Sequence, residues 1–91
     1  MIPSHDHVIA AARGFVTQSF LYTRPGVLLR PEEPLLGSGI IDSMGVIELL
    51  DWLGSTYGVY VEDGDITEEN LGSLAAIARY VTRKCVASAA A

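Results

Sequence analysis

Ser43 stands in the stretch Gly39-Ile40-Ile41-Asp42-Ser43-Met44-Gly45, where an irregular segment gives way to a helical apolar period. A hydroxyl there has two uses. It can serve, with Asp42, as an ordinary helix cap that accepts a backbone N–H. Alternatively it stays free as a point of covalent attachment. The unpaired N–H groups and the positive dipole end of a helix start would then favour an anion, such as a phosphodiester on the serine oxygen. Local chemistry alone leaves both uses open.

Other chemistry finds no support in the spacing. A hydrolase elbow needs glycine two residues before and two after the serine; position 41 is Ile, and only Gly45 fits. His5 and His7 lie near the start of the first helix and read as solvated cap residues rather than a catalytic base. Gly37-Ser38-Gly39 lacks the preceding strand and third glycine of a dinucleotide loop. Asp63-Gly64-Asp65 begins like a calcium loop, but Glu68 replaces the required glycine and Leu74 the closing glutamate. No histidine and cysteine spacing suggests zinc.

The chain has 91 residues, 49% of them apolar, which suffices for one small domain over 1–91 without metal or disulfide staples. The single cysteine, Cys85, reads as a small thiol in a reducing compartment. Eleven acids against six bases give a net charge of −5, which argues against nucleic acid and favours basic protein surfaces. No apolar run suggests a membrane span, and the start Met1-Ile2-Pro3-Ser4-His5-Asp6 lacks a secretory signal's regions, so a cytoplasmic location is expected.

An all-α fold is expected, with three longer helices and one short one in a four-helix antiparallel bundle. The first helix follows Ser4 as cap and runs to about Tyr22, with Val8 or Ile9, Ala12, Phe15 or Val16, and Phe20 on its buried face. Arg24-Pro25-Gly26 ends it. From Pro25 to Ile41, three prolines and three glycines break any period. Val27, Leu28, Leu29, Leu35, Leu36, Ile40 and Ile41 are nevertheless too apolar for water, so this is an ordered loop that wraps the bundle and delivers Ser43. The second helix runs from about Ser43 to Tyr57, capped by Gly58, with Val46, Leu49, Leu50, Leu53 and Tyr57 facing the core. Met44, Ile47, Glu48, Asp51 and Ser55 fall on an exposed strip beside Ser43, while Trp52 lies opposite and has no assigned partner. Val59-Tyr60-Val61 is too short for a sheet. A short helix or turn is expected over Asp65–Leu71, capped by Asp65 or Thr67. The last helix starts near Ser73 and buries Leu74, Ile77, Ala78 and Val81, leaving Arg79, Arg83 and Lys84 in solvent. The helical core spans about 5–86, and 87–91 reads as a frayed tail.

With these residues in view, Gly39-Ile40-Ile41-Asp42-Ser43-Met44-Gly45 resembles the Asp-Ser-Leu or Asp-Ser-Met motif of acyl carrier proteins. The resemblance continues through Val46-Ile47-Glu48-Leu49-Leu50, Tyr57-Gly58-Val59, Val61 and Asp65-Ile66-Thr67-Glu68-Glu69-Asn70-Leu71. It ends in Ser73-Leu74-Ala75-Ala76-Ile77-Ala78-Arg79-Tyr80-Val81. It covers nearly everything after Leu35; the first helix matches only in pattern.

The resemblance implies a phosphoprotein that is a carrier and not an enzyme. A phosphopantetheinyl transferase, with Mg²⁺, would move 4'-phosphopantetheine from coenzyme A onto Ser43. The arm would then hold an acyl or aminoacyl group as a thioester. Asp42 matches the family aspartate before the serine. Met44, Ile47, Glu48 and Asp51 match positions that partners read, and Glu62, Asp63, Asp65, Glu68 and Glu69 supply a second acidic surface. Implied partners are the transferase, an acyltransferase or adenylating loading enzyme, and a ketosynthase or other cargo-processing enzyme. They would meet a monomer with no nucleic-acid or membrane role.

Fatty-acid carriers usually place acids late in the second helix, where this chain has Gly54, Ser55 and Thr56. The Gly-Ile-Ile-Asp-Ser form also resembles freestanding aminoacyl carriers, including D-alanyl carriers and discrete carriers of antibiotic pathways. A discrete carrier in polyketide-type biosynthesis is the favoured reading, with aminoacyl, D-alanyl-type and fatty-acid carriers as alternatives. Outside the family, an unmodified helical adaptor using the Met44, Ile47 and Glu48 strip stays open. A small hydrolase or transferase with Ser43 as nucleophile is the remaining reading.

Overall fold

The computed structural model describes residues 3–20 and 29–90, with side chains described to 87. Within them the fold is all-helical: α1 (His5–Phe20), α2 (Ser43–Tyr57), α3 (Glu68–Leu71) and α4 (Leu74–Ala90), with a single 3₁₀ turn at Asp63–Asp65. The expected helix end at Tyr22, the stop at Arg24-Pro25-Gly26, and Val27 and Leu28 lie outside the described residues.

Each start has its own acceptor. Ser4 Oγ takes the His7 N–H at 3.1 Å, Thr67 Oγ1 the Asn70 N–H at 3.2 Å, and Ser73 Oγ the Ala76 N–H at 3.1 Å. These bonds satisfy donors that a helix's first turn leaves unpaired. At the end of α2, Gly58 adopts φ 67°, which glycine tolerates best, and its N–H reaches back to the Gly54 and Leu53 carbonyls.

The long amphipathic helix α4 is the spine, touching α1, α2 and α3. It therefore buries more than one stripe: Leu74, Ile77, Ala78 and Val81 as expected, and also Ala76 and Tyr80. From α1 come Val8, Ile9, Ala12 and Val16. On α2 the expected arc is narrower than the wheel suggests. Leu49 and Leu53 are fully buried, but Val46, Leu50 and Tyr57 are only half-buried. Trp52, unassigned from sequence, closes the seam between α1 and α2. Its ring stacks on Phe15 at 4.9 Å and meets Tyr57 edge-on at 5.7 Å, and Phe15 in turn meets Phe20 edge-on. The helix α4 continues to Ala90, past the boundary at 86 set by the small-residue tail.

The described part of the connection before α2 is neither helix nor strand, yet it belongs to the core. Leu29, Leu35 and Ile41 are buried within it. Three hydrogen bonds fasten its backbone: Arg13 Nε donates to the Leu29 carbonyl at 3.0 Å, Ala75 N–H to Pro31 at 2.9 Å, and Leu35 N–H to Gly72 at 2.7 Å. A side chain on Gly72 would run into the Glu68 carbonyl, so glycine is what lets the α3–α4 corner turn this tightly.

Tyr80 supplies a second tie. Its hydroxyl donates to Asp65 Oδ2 at 2.8 Å, and the Arg83 guanidinium lies 5.3 Å from its ring centroid. Burial, and then the bond to Asp65, push the Tyr80 phenol up to about 12. Because the folded value exceeds the ordinary 10, this stabilisation is full below pH 10 and fades as pH rises through about 12. Tyr80→Phe should cost about 1–2 kcal/mol near neutrality. Urea melts of both proteins should show that gap narrowing across the same alkaline range; a gap that widens with pH contradicts this account.

Truncation separates the faces of α2. Leu49→Ala should cost roughly 2–5 kcal/mol in urea unfolding, and Met44→Ala less than about 0.5 kcal/mol. Equal losses would mean that the outward face is misassigned.

Candidate functional site

The approach to Ser43 is a closed turn. Leu35 and Ile41 are both buried, and the Ile41 N–H bonds the Leu35 carbonyl at 3.0 Å, so the stretch between them loops outward. Gly39 makes that possible with φ 80°, a left-handed conformation costly for other residues. Two residues after Ile41 the chain enters α2 with Ser43 as its first helical residue.

Asp42, not Ser43, is the cap. Its backbone is extended, and its Oδ1 accepts the Gly45 N–H at 2.8 Å while its carbonyl accepts the Val46 N–H at 2.9 Å. Ser43 is exposed, and no described residue hydrogen-bonds its hydroxyl. The capping role that local chemistry offered to both residues thus falls to one. The Ser43 and Met44 N–H groups stay outside the Asp42 cap, at the positive end of α2.

Gly45 is a positioning residue that motif reading passed over. It is buried, and a Cβ there would sit 2.8 Å from Phe20 Cε1 and 3.0 Å from Ile41 Cγ2. The first turn of α2 therefore lies directly against α1 and the incoming loop. A glycine one turn into a helix, where it lowers helix propensity, is the signal that could have found it.

The strip beside Ser43 is as exposed as the helical spacing implies. Met44 is 70% and Ile47 60% exposed, with Glu48 and Asp51 in solvent beside them. Ile47, Glu48 and Asp51 join Asp63 along an open groove of about 670 Å³ between α2 and the segment after Gly58. Tyr60, 76% exposed and not singled out from sequence, stands on its far wall. Glu62, Glu68 and Glu69 are exposed but do not line this groove. Asp65 is half-buried, with its carboxylate engaged by Tyr80 and its carbonyl by Asn70 Nδ2 at 2.9 Å. The second acidic surface thus divides, with Asp63 facing α2 and Asp65 holding the fold. Among the described residues, no cluster of histidine, cysteine and acids could hold a metal ion. Nor is any helix long and apolar enough to cross a membrane.

No protein-family model matches this chain, and comparison with curated proteins finds no match either.

The division of labour at the helix start has a measurable consequence. Asp42→Ala should lower stability by about 1 kcal/mol, as losing an N-cap does. Ser43→Ala should stay within about 0.5 kcal/mol of wild type in the same denaturant titration. A Ser43→Ala loss as large as that of Asp42→Ala would return Ser43 to a capping role.

Proposed function

We propose that the chain is a discrete acyl carrier protein of the antiparallel four-helix type, with Ser43 as the attachment point for 4'-phosphopantetheine. One observation carries this reading: Asp42 occupies the cap, and the exposed Ser43 hydroxyl beside it is engaged by none of the described residues. The residues present fit the group. The hydroxyl supplies the oxygen of a phosphodiester, and the helix start offers a favourable field and free N–H donors to its charge. When bound, the arm supplies a terminal thiol that carries an acyl or aminoacyl group as a thioester.

The chain's own part is to present and be recognised, not to catalyse. Gly39 and the buried Leu35 and Ile41 hold the attachment oxygen outward for a phosphopantetheinyl transferase. Met44 and Ile47 offer apolar contact to that enzyme and to loading and processing enzymes, while Glu48 and Asp51 favour partners with basic surfaces. The paucity of acids late in α2, where Gly54, Ser55 and Thr56 stand, supports a specialised polyketide-type pathway over general fatty-acid synthesis. Such work belongs in the cytoplasm.

The exposed Met44 and Ile47 also favour a second reading, an unmodified adaptor that binds a partner through α2. A single mass measurement separates the two. Incubation with coenzyme A, Mg²⁺ and a broad-specificity transferase should add one phosphopantetheine to wild type and none to Ser43→Ala. If wild type stays unmodified with several transferases that load a control carrier, the adaptor reading replaces the carrier.

A further inference from the structure

Two glycines bracket one acidic side chain beneath the turn that leads to Ser43. Glu68 opens α3 just after its Thr67 cap, and Gly72 closes the corner beyond it. A Cβ on Gly72 would sit 2.5 Å from Glu68 Cγ, and one on Gly37 would sit 3.0 Å from Glu68 Oε1. Although exposed overall, the Glu68 side chain thus lies across the space that both glycines leave empty. Its stem is over Gly72 and its carboxylate is over Gly37. Glu69, the next acid of α3, makes no such approach to Gly37.

The backbone brings these groups together. The Leu35 N–H bonds the Gly72 carbonyl at 2.7 Å, and the Gly72 N–H bonds the Glu68 carbonyl at 2.8 Å. The turn after Leu35 is therefore laid over the first residue of α3. Leu36 and Ile40 pack on the core at the two ends of that turn. At its tip, Gly37, Ser38 and Gly39 are exposed and carry no apolar side chain. The tip's own bonds are local, from the Gly39 N–H to the Leu36 carbonyl at 3.2 Å and from the Ser38 hydroxyl to the Pro34 carbonyl. An anchor to the rest of the fold has to come from elsewhere, and Glu68 reaches it.

We infer that Glu68 is a positioning residue for Ser43, its carboxylate seating the tip of the 35–41 turn on α3 through Gly37. The action on the serine is indirect, because the seated turn fixes Ile41 and so the start of α2. A carboxylate oxygen against a glycine Cα–H is a weak contact, and a carboxamide oxygen of the same reach makes it equally well. Shape therefore matters here more than charge. Only the enzymatic readout below rests on the carrier reading.

Amide hydrogen exchange of Gly39 on the full, unmodified chain tests the contact without any enzyme. Glu68→Ala should speed that exchange about two- to fivefold, the size of one weak contact. Glu68→Gln should stay within about 1.5-fold of wild type. Glu69→Ala, which removes an equal charge from the same helix start, should leave Gly39 unchanged. Gly37→Ala should speed exchange by displacing Oε1, yet add nothing in the Glu68→Ala background, where its methyl has room. In phosphopantetheine transfer, Glu68→Ala should raise the transferase KM for the chain by the same factor with kcat unchanged. A presenting conformation that is less populated lowers apparent affinity in this way. Glu68→Gln should restore KM, whereas recognition of the charge itself would not allow it. Gly39 exchange that ignores Glu68→Ala, equal effects from Glu69→Ala, or a Glu68→Gln that behaves like Glu68→Ala would overturn the proposal. If no transferase loads wild type, the carrier reading falls, while Gly39 exchange still decides the Glu68 contact.

Discussion

The hydrogen bond from the Leu35 N–H to the Gly72 carbonyl, 2.7 Å long and backed by a fully buried Leu35 side chain, organises the end of the molecule that presents Ser43. It fixes the described part of the connection before α2 to the corner between α3 and α4. Ala75 and Pro31 add a second bond nearby, and Arg13 ties the same segment to α1. Ile41 is thereby seated in the core, and Ser43 follows two residues later at the mouth of α2. The direction in which the serine faces is set by residues distant from it in sequence.

Two adjacent polar residues do different work at that mouth. Asp42 turns inward along the backbone to accept the Gly45 N–H, and Ser43 is left facing solvent. Gly45 makes the arrangement compact, since any side chain there would press on Phe20 and Ile41. The outward face of α2 therefore begins with a hydroxyl that no described residue bonds, continues through Met44 and Ile47, and opens into the acid-rimmed groove.

Much of this was legible in the order of residues. The all-helical class, the Ser4 and Thr67 caps, the Gly58 stop and the exposure of Met44, Ile47, Glu48 and Asp51 all follow from local chemistry and helical period. Helical period reports direction but not depth. Val46, Leu50 and Tyr57 point inward on the wheel yet are only half-buried, because Trp52 shares the seam against α1 and the α2 groove stays open. Tyr80 and Gly45 were hidden for a related reason. Their roles depend on Asp65, Phe20 and Ile41, which only the folded chain brings to them. The sequence grouped Asp63 and Asp65 in one acidic surface and offered Asp65 as a cap, whereas Asp63 rims a groove and Asp65 holds a phenol while Thr67 caps the helix.

The account stands on the segment 29–42 before α2 being as firmly folded as the helices it packs against. Native-state amide hydrogen exchange measures this directly by comparing the Leu35 N–H with the Ile77 N–H inside α4. The account predicts that both exchange only through global unfolding, with opening free energies equal within about 1 kcal/mol. A Leu35 amide that exchanges through a low-energy local opening, while Ile77 stays protected, would contradict it.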